Sequence, residues 1–193
     1  MEKVTHIIGS PAAERKLVSG LVHGDEASYR QLYEVFAPPL RRTLHRLFRE
    51  SSLTDDTVQA TFLIVFRRVE SFDFRSGLLT WITRIGIREG VRIARAANRV
   101  FDFEPPGSTE ESDSPEARAI RAQQGMHLEG LITTLPDAKR VPLLLFELEG
   151  FSVEEIAELL GQPRGTILSR LSRTRAELRE AIQVFDRVKE GRR

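Results

Sequence analysis

Arginine side chains at helical spacing are the residues of this 193-residue chain best suited to bind a charged ligand. One set lies in SVEEIAELLGQPRGTILSRLSRTRAELRE, residues 152 to 180, where Ile167, Leu171 and Leu178 are expected to face inward. The arginines expected to face outward are Arg164, Arg170, Arg173, Arg175 and Arg179. A guanidinium group can bind a guanine edge through two hydrogen bonds, so DNA is the expected ligand of this segment.

Local signals around this first arginine set predict a helix-turn-helix. Ser152 suits an N-cap, and Glu155 three residues later completes a capping box. Gly161 stands where a left-handed C-cap residue belongs, and Pro163 suits the first turn of the next helix. The alternative interpretation is a helical hairpin with a solvated basic face.

A second arginine set lies between Trp81 and Val100, where five arginines accompany a single acid, Glu89. At 100° per residue these arginines fall within an arc of roughly 80°, and Trp81 lies on the same arc. They are Arg84, Arg88, Arg92, Arg95 and Arg99. An arginine row with an aromatic side chain at one end suits a single-stranded backbone with one stacked base. The alternative is a plain cationic surface with a core tryptophan.

The charges of the chain are segregated, although its formal net charge is only +1. Six acids and no base occur in residues 101–117, a stretch that is also rich in Pro, Gly and Ser. Such a stretch is typical of a flexible acidic linker. The sequence therefore predicts two basic binding surfaces joined by an acidic tether.

The composition excludes several classes of function. There is no cysteine, and the four histidines show no metal-ligand spacing. No nucleophile–base pair, metal set or phosphate loop is present, so we expect no catalytic residue, no metal and no cofactor. The chain has neither the apolar core of a signal peptide nor a window apolar enough to span a membrane. A soluble cytoplasmic protein is expected.

The apolar spacing is helical nearly everywhere, which predicts an all-α fold of two small helical domains. The domains are expected at residues 13–100 and 118–186, on either side of the linker at 101–117, and the second contains the helix-turn-helix. Thr54 is the expected N-cap of one helix, with Asp55 and Asp56 in its first turn. Helices are predicted at about 13–22, 26–49, 54–70, 78–99, 116–134, 137–149, 153–160 and 164–186.

Taken in order, these segments resemble the extracytoplasmic-function sigma factors, the small bacterial initiation factors of RNA polymerase. The opening helix is DEASYRQLYEVFAPPLRR, and the segment TDDTVQATFLIVFRRVESF is similar to the family's polymerase-binding segment. The promoter-melting segment is matched by LLTWITRIGIREGVRIARAANR. The C-terminal domain is matched by ITTLPDAKRVPLLLFELEGFSVEEIAELLGQPRGTILSRLSRTRAELR. The resemblance implies that residues 13–100 are sigma region 2 and residues 118–186 are sigma region 4.

The resemblance also implies partners and site residues. Core RNA polymerase would be bound through Asp55, Asp56, Gln59 and Phe62. The upstream minus-ten promoter element would be bound through Phe72, Asp73, Phe74, Arg75, Ser76, Trp81, Arg84 and Arg88. The minus-thirty-five element would be read through Arg164, Thr166, Ser169, Arg170 and Arg173. The second domain would also touch the polymerase flap, and an anti-sigma factor would hold the protein inactive. No small-molecule substrate is implied.

Some positions depart from the family pattern. Phe74 stands where a small residue is more usual, and Arg88 where Asn is typical. Leu168 and Ser172 occupy positions often held by a basic residue and by an aromatic residue or histidine, so the family's base contacts at those two positions do not carry over.

Two other classes of function compete with the sigma factor. A stand-alone helix-turn-helix regulator would use residues 1–100 as a sensor or dimerisation domain and would bind DNA tightly without polymerase. An adaptor protein would leave both basic faces without a ligand. The polymerase-binding pattern from Asp56 to Phe62 and the arginine–tryptophan helix both favour the sigma factor.

Overall fold

The computed structural model describes residues 10–97 and 128–190, without the side chains of residues 129 and 184–190. The chain divides into two compact units, Met1–Arg99 and Val100–Arg193. The described residues form eight α-helices and no strand, which confirms the predicted all-α class. The predicted acidic linker at 101–117, the start of a helix near residue 116 and Arg99 lie outside the described residues.

The first unit contains four α-helices and one short 3₁₀ turn. They are α1 (Pro11–Val22), α2 (Glu26–Phe48), α3 (Ser51–Arg68), the 3₁₀ turn (Val69–Ser71) and α4 (Leu78–Ala96). Helices α2, α3 and α4 pack against one another, and α1 packs on α2 and on the 3₁₀ turn. Asp25 caps α2, since its carboxylate accepts hydrogen bonds from the backbone N–H groups of Ala27 and Ser28. The hydrogen bond from the Ser28 hydroxyl is the largest cause that lowers the Asp25 pKa.

Helix α4 packs closely on its neighbours because two of its buried positions are glycine. A Cβ at Gly90 would lie 2.3 Å from Cε2 of Phe48, and a Cβ at Gly86 would lie 2.9 Å from Cδ1 of Leu40. Both of these neighbours belong to α2. The buried face of α4 therefore lies directly against α2, and its arginine face points away from the core.

The predicted start of α3 is wrong. The helix begins at Ser51, so Thr54 is its fourth residue rather than its N-cap. Thr54 is buried, and its hydroxyl donates to the backbone carbonyl of Glu50 at 2.7 Å. A threonine hydroxyl can bond back to the carbonyl four residues earlier as readily as it can cap a helix, so residue type alone did not place the boundary. Asp55 and Asp56 consequently lie beyond the first turn.

The second unit also contains four α-helices: α5 (Leu128–Thr134), α6 (Asp137–Glu147), α7 (Val153–Leu160) and α8 (Arg164–Glu190). Helix α8 packs on the other three, and α6 packs on α7. The core is mostly aliphatic and includes Leu145, Phe151, Ile156 and Ile167, each almost fully buried. None of the helices in the described part of the chain is both long and apolar enough to cross a membrane.

Candidate nucleic-acid and polymerase interfaces

The predicted helix-turn-helix is formed by α7 and α8. The Ser152 hydroxyl accepts from the Glu155 backbone N–H at 3.1 Å, and the Glu155 carboxylate accepts from the Ser152 backbone N–H at 2.9 Å, so the capping box is present. Gly161 ends α7 in the left-handed region, at φ 63°. Only three residues separate Leu160 from Arg164, the first residue of α8, so the two helices form a tight pair.

The outer face of α8 carries the residues that solvent, and therefore DNA, can reach. Arg164 and Arg173 are exposed, and so are Leu168 and Ser172 between them. Thr166 and Ser169 are half-buried at the edge of this face, and the Ser169 hydroxyl donates to the Thr166 carbonyl at 3.0 Å. This set of six residues is the recognition face.

Arg164, the first residue of α8, has an acidic partner on α7. Its Nε donates to the Glu154 carboxylate of α7 at 2.5 Å, and both side chains are more than half exposed. That hydrogen bond lowers the pKa of Glu154. A phosphate group that binds Arg164 would therefore compete with Glu154 for the same guanidinium.

The expected outward orientation is wrong for Arg170, whose side chain is only 7% exposed. At 100° per residue Arg170 lies 40° from Thr174 and 60° from Ile167, both of which are fully buried. Residue 170 lies on the buried side of α8, so its side chain points inward despite its charge. The aliphatic stem of an arginine can line an apolar core. Arg175, which was also expected to face outward, is half-buried. Its Nε donates to the Glu147 carboxylate at 2.7 Å, and its guanidinium carbon lies 4.9 Å from the centre of the Phe146 ring.

The arginine row of α4 lies opposite the buried face of that helix. Arg88, Arg92 and Arg95 are exposed, whereas Arg84 and Trp81 are half-buried. Glu89 accepts two hydrogen bonds from Arg92, at 2.9 and 2.5 Å. This contact lowers the pKa of Glu89 and raises that of Arg92, so the one acid of the segment is engaged by one arginine of the row.

The loop before α4 carries a stack of aromatic rings, the aromatic loop, which consists of residues 72–77. Phe72 lies at the centre of the stack, with its ring centroid 4.7 Å from that of Phe74 and 5.3 Å from that of Trp81. Phe72 is only 4% exposed, so the predicted direct contact of Phe72 with DNA is not available in this conformation. Phe74 is exposed, and its φ of 60° places it in the left-handed region. Asp73 binds Arg75 at 3.1 Å, and Ser76 is exposed.

The residues predicted to bind polymerase do not all reach the surface of α3. Asp56 and Gln59 are exposed, but Asp55 is half-buried and forms an ion pair with Arg41 of α2. Phe62 is a core residue, 2% exposed, with its ring 4.8 Å from that of Tyr33. The sequence pattern therefore mixed surface and core positions.

Leu63 lies on the same surface of α3 as Asp56 and Gln59, although the predicted pattern did not include it. It is 58% exposed, and at 100° per residue it lies between Asp56 and Gln59 on the helix surface. The helical angle of position 63 was the signal that could have identified it. Asp56, Gln59 and Leu63 form the α3 face.

An apolar groove of about 510 Å³ opens on the second unit, between α5, α6 and α8. Its wall includes Leu144 and Leu178, and three apolar side chains at its edge are more than a third exposed. These three are Leu128, Leu148 and Ile182. No group of three or more His, Cys, Asp or Glu side chains suited to a metal ion occurs within 10–97 or 128–190.

Comparison with known proteins gives two family matches in the order predicted. Residues 32–100 match the model of sigma-70 region 2, and residues 126–178 match that of sigma-70 region 4. Together the two matches cover more than half of the chain. They coincide with the parts that carry the α3 face, the arginine row and the recognition face.

Whole-length relatives are similar to the chain across both units. The ECF RNA polymerase sigma-E factor of Haemophilus influenzae is 26% identical over 181 residues, which cover 88% of this chain and 95% of the relative. The sigma-E factor of Escherichia coli K12 is also 26% identical and is covered over 94% of its length.

Two solved structures are similar to the chain. One is the sigma factor RpoE in complex with the anti-sigma factor NepR from Bartonella quintana, at 25% identity and a TM-score of 0.46, with 81% of this chain and 97% of that chain covered. The other is CnrH in complex with the cytosolic domain of CnrY, at 22% identity and a TM-score of 0.48, with 88% and 96% covered.

Proposed function

The chain belongs to the extracytoplasmic-function group of the sigma-70 family, and we propose that its two units bind separate promoter elements on behalf of RNA polymerase. It is an RNA polymerase sigma factor that acts in transcription initiation. The first unit holds sigma region 2, and the second holds sigma region 4.

The observation that carries the proposal is the arrangement of arginines on two unrelated helices, α4 and α8. In the second unit, α8 presents Arg164 and Arg173 from a helix-turn-helix, the geometry that enters a major groove. In the first unit, α4 presents an arginine row next to exposed and half-buried aromatic rings, which suits an unpaired strand with stacked bases. One chain thus carries one surface for duplex DNA and one for single-stranded DNA.

We assign minus-thirty-five recognition to Arg164, Thr166, Ser169 and Arg173 of the recognition face. Leu168, which lies at the centre of that face, can offer an apolar contact to a thymine methyl group. Arg170 is better placed to hold α8 in the fold than to touch a base, since it is buried.

Minus-ten binding and melting are assigned to the exposed part of the aromatic loop and to the arginine row. Phe74, Arg75 and Ser76 are exposed in the loop, and Arg88 is exposed on α4. The buried ring of Phe72 contacts the rings of Phe74 and Trp81 and so supports both side chains. A base that leaves the duplex would meet Phe74 first.

Polymerase binding is assigned to the α3 face. Asp56 and Gln59 supply polar contacts and Leu63 an apolar one, which suits an interface with an apolar centre and a polar rim. Phe62 contributes indirectly, since it packs beneath this face against Tyr33. The apolar groove of the second unit is the proposed contact for the polymerase flap.

The protein is proposed to work in the cytoplasm, to catalyse no reaction of its own, and to be held inactive by an anti-sigma factor. Core RNA polymerase and promoter DNA are its functional partners.

Run-off transcription with core polymerase over a promoter library tests the proposed function. We expect transcripts from a subset of promoters that share both elements, and no transcripts from core polymerase alone. The variant that combines Asp56→Ala with Gln59→Ala is expected to lose core enzyme in a pull-down and to lose transcription. Tight, sequence-specific binding to duplex DNA without any association with polymerase would instead support a stand-alone regulator.

A further inference from the structure

Helix α4 begins without a cap of its own. Gly77 precedes the helix and has no side chain that could accept a hydrogen bond from the first turn. The Glu14 carboxylate of α1 takes this role: its Oε2 accepts from the backbone N–H of Leu78 at 3.1 Å, across 64 positions of sequence. A carboxylate at this place also interacts favourably with the positive end of the helix dipole.

Glu14 is held firmly in this position. It is only 5% exposed, although charged residues are almost never buried unless they are paired. Its neighbours on the buried side of α1 are Leu17, Val18 and Leu21, which anchor the helix in the core of the first unit. The 3₁₀ turn that leads into the aromatic loop also packs on α1.

Arg15, the next residue of α1, contacts the aromatic loop at Phe74. Its guanidinium lies 4.8 Å from the centre of the Phe74 ring, a distance typical of a cation–π contact. Phe74 needs such support because a bulky residue at positive φ is strained. Two adjacent residues of α1 therefore hold the loop at Phe74 and at the start of α4.

We propose that α1, which precedes the matched region 2 segment, sets the conformation of the aromatic loop, with Glu14 as the principal positioning residue for minus-ten recognition. The proposal rests on the assignment of this loop to the minus-ten element. Glu14 fixes where α4 starts, and so where the loop must end. Loss of the carboxylate frays the first turn of α4, which carries Trp81, and separates Trp81 from Phe72.

Trp81 provides a direct readout, because it is the one tryptophan of the chain. In the full-length protein without polymerase, Glu14→Ala is expected to change the emission maximum and the iodide quenching of Trp81. In run-off transcription, the preference for the best base over the next best base at the minus-ten position whose base leaves the duplex is expected to fall by up to roughly fivefold. That is the factor to which the helix stability lost with an N-cap, about 1 kcal/mol, corresponds. Glu14→Gln, which keeps an acceptor oxygen, is expected to lose less.

A second substitution separates positioning from a general loss of stability. Gly77 has φ −62° and ψ 148°, which suits an N-cap aspartate, and a Cβ there lies in ordinary contact, 3.9 Å from Glu14 Oε1. We expect Gly77→Asp to restore both the Trp81 emission and the base preference of the Glu14→Ala protein. Asp25→Ala removes the cap of α2 instead, and is the matched control that should leave both readouts at wild-type values.

The results separate this inference from the proposed function. Failure of the wild-type protein to direct transcription would contradict the proposed function, while the fluorescence comparison would still test the role of Glu14. The inference is overturned if Glu14→Ala leaves the Trp81 emission or the base preference unchanged. It is equally overturned if Asp25→Ala alters both as strongly, or if Gly77→Asp restores thermal stability without restoring base preference.

Discussion

At the scale of single residues, Arg173 and Arg170 stand three positions apart on α8 in different environments. Arg173 is exposed on the recognition face, whereas Arg170 is buried beside Thr174 and Ile167. The same residue type therefore has two roles on one helix. We propose that promoter discrimination depends on the exposed arginine and that the packing of α8 depends on the buried one.

Substitutions of these two arginines should have opposite profiles. We expect Arg173→Ala to cost about 1–3 kcal/mol of discrimination between minus-thirty-five sequences, the worth of a bidentate base contact, with little change in thermal stability. Arg170→Ala should instead lower the free energy of unfolding by about 1–3 kcal/mol, since it removes a buried side chain. Competition binding of the polymerase holoenzyme and thermal unfolding measure the two effects. Equal loss of stability in both variants would contradict the assignment.

Neighbouring positions on α3 offer a second comparison, between Phe62 in the core and Leu63 on the surface. Phe62→Ala should cost about 3–5 kcal/mol of stability, because it leaves a cavity beneath Tyr33. Leu63→Ala should weaken the affinity for core polymerase by about 1 kcal/mol or more and change stability little. Calorimetric unfolding and titration with core polymerase distinguish them. Polymerase binding that is unaffected by Leu63→Ala would exclude Leu63 from the interface.

At the scale of the elements, α4 combines a closely packed buried face with the arginine row. The two glycines of the buried face, Gly86 and Gly90, lie four residues apart, so both face α2 and α3. Their lack of a side chain lets the α4 backbone approach those helices. The position of α4, and hence the direction in which the arginine row points, depends on this contact.

Gly90→Ala tests the close packing of α4. A new Cβ would overlap the Phe48 ring, so we expect a loss of about 1–3 kcal/mol in stability of the first unit, despite the better helix propensity of alanine. Gly165→Ala on α8 is the control, because apart from its chain neighbours and its own helix backbone nothing lies within 4 Å of the added Cβ, and it should stabilise the second unit slightly. Denaturation followed by Trp81 fluorescence for the first unit and by circular dichroism for both measures the outcome. An unchanged or raised stability of Gly90→Ala would contradict the packing described.

How well the sequence predicts these elements depends on how far apart in the chain the interacting residues lie. Apolar periodicity and local caps are contained in short stretches. They predicted the all-α class and the capping box at Ser152 correctly, but they placed the start of α3 at Thr54 instead of Ser51. Phe62 and Arg170 are buried because their angular positions on α3 and α8 face the core. The sequence interpretation placed them by residue type instead, and so assigned them to the surface. The contact of Glu14 with Leu78 spans 64 positions, so no local pattern could reveal it.

At the scale of the whole molecule, a net charge of only +1 combines with two local arginine surfaces. Free protein of this charge should bind duplex DNA weakly, because few phosphate charges are neutralised at once. In the proposed function, polymerase brings both surfaces to one promoter, so that the two contacts act together. We propose that these surfaces perform separate steps: the recognition face binds the closed promoter, and the arginine row of α4 stabilises the melted strand.

Permanganate reactivity of unpaired thymines, measured together with closed-complex affinity, tests this claim most directly. With holoenzyme that contains Arg88→Ala, we predict a closed-complex affinity close to that of the wild type and a several-fold loss of thymine reactivity. With Arg173→Ala, we predict weaker closed complexes on a promoter that depends on the minus-thirty-five element and normal opening on a pre-melted template. Equal loss of closed-complex affinity in both variants, without a separate opening defect for Arg88→Ala, would contradict the account.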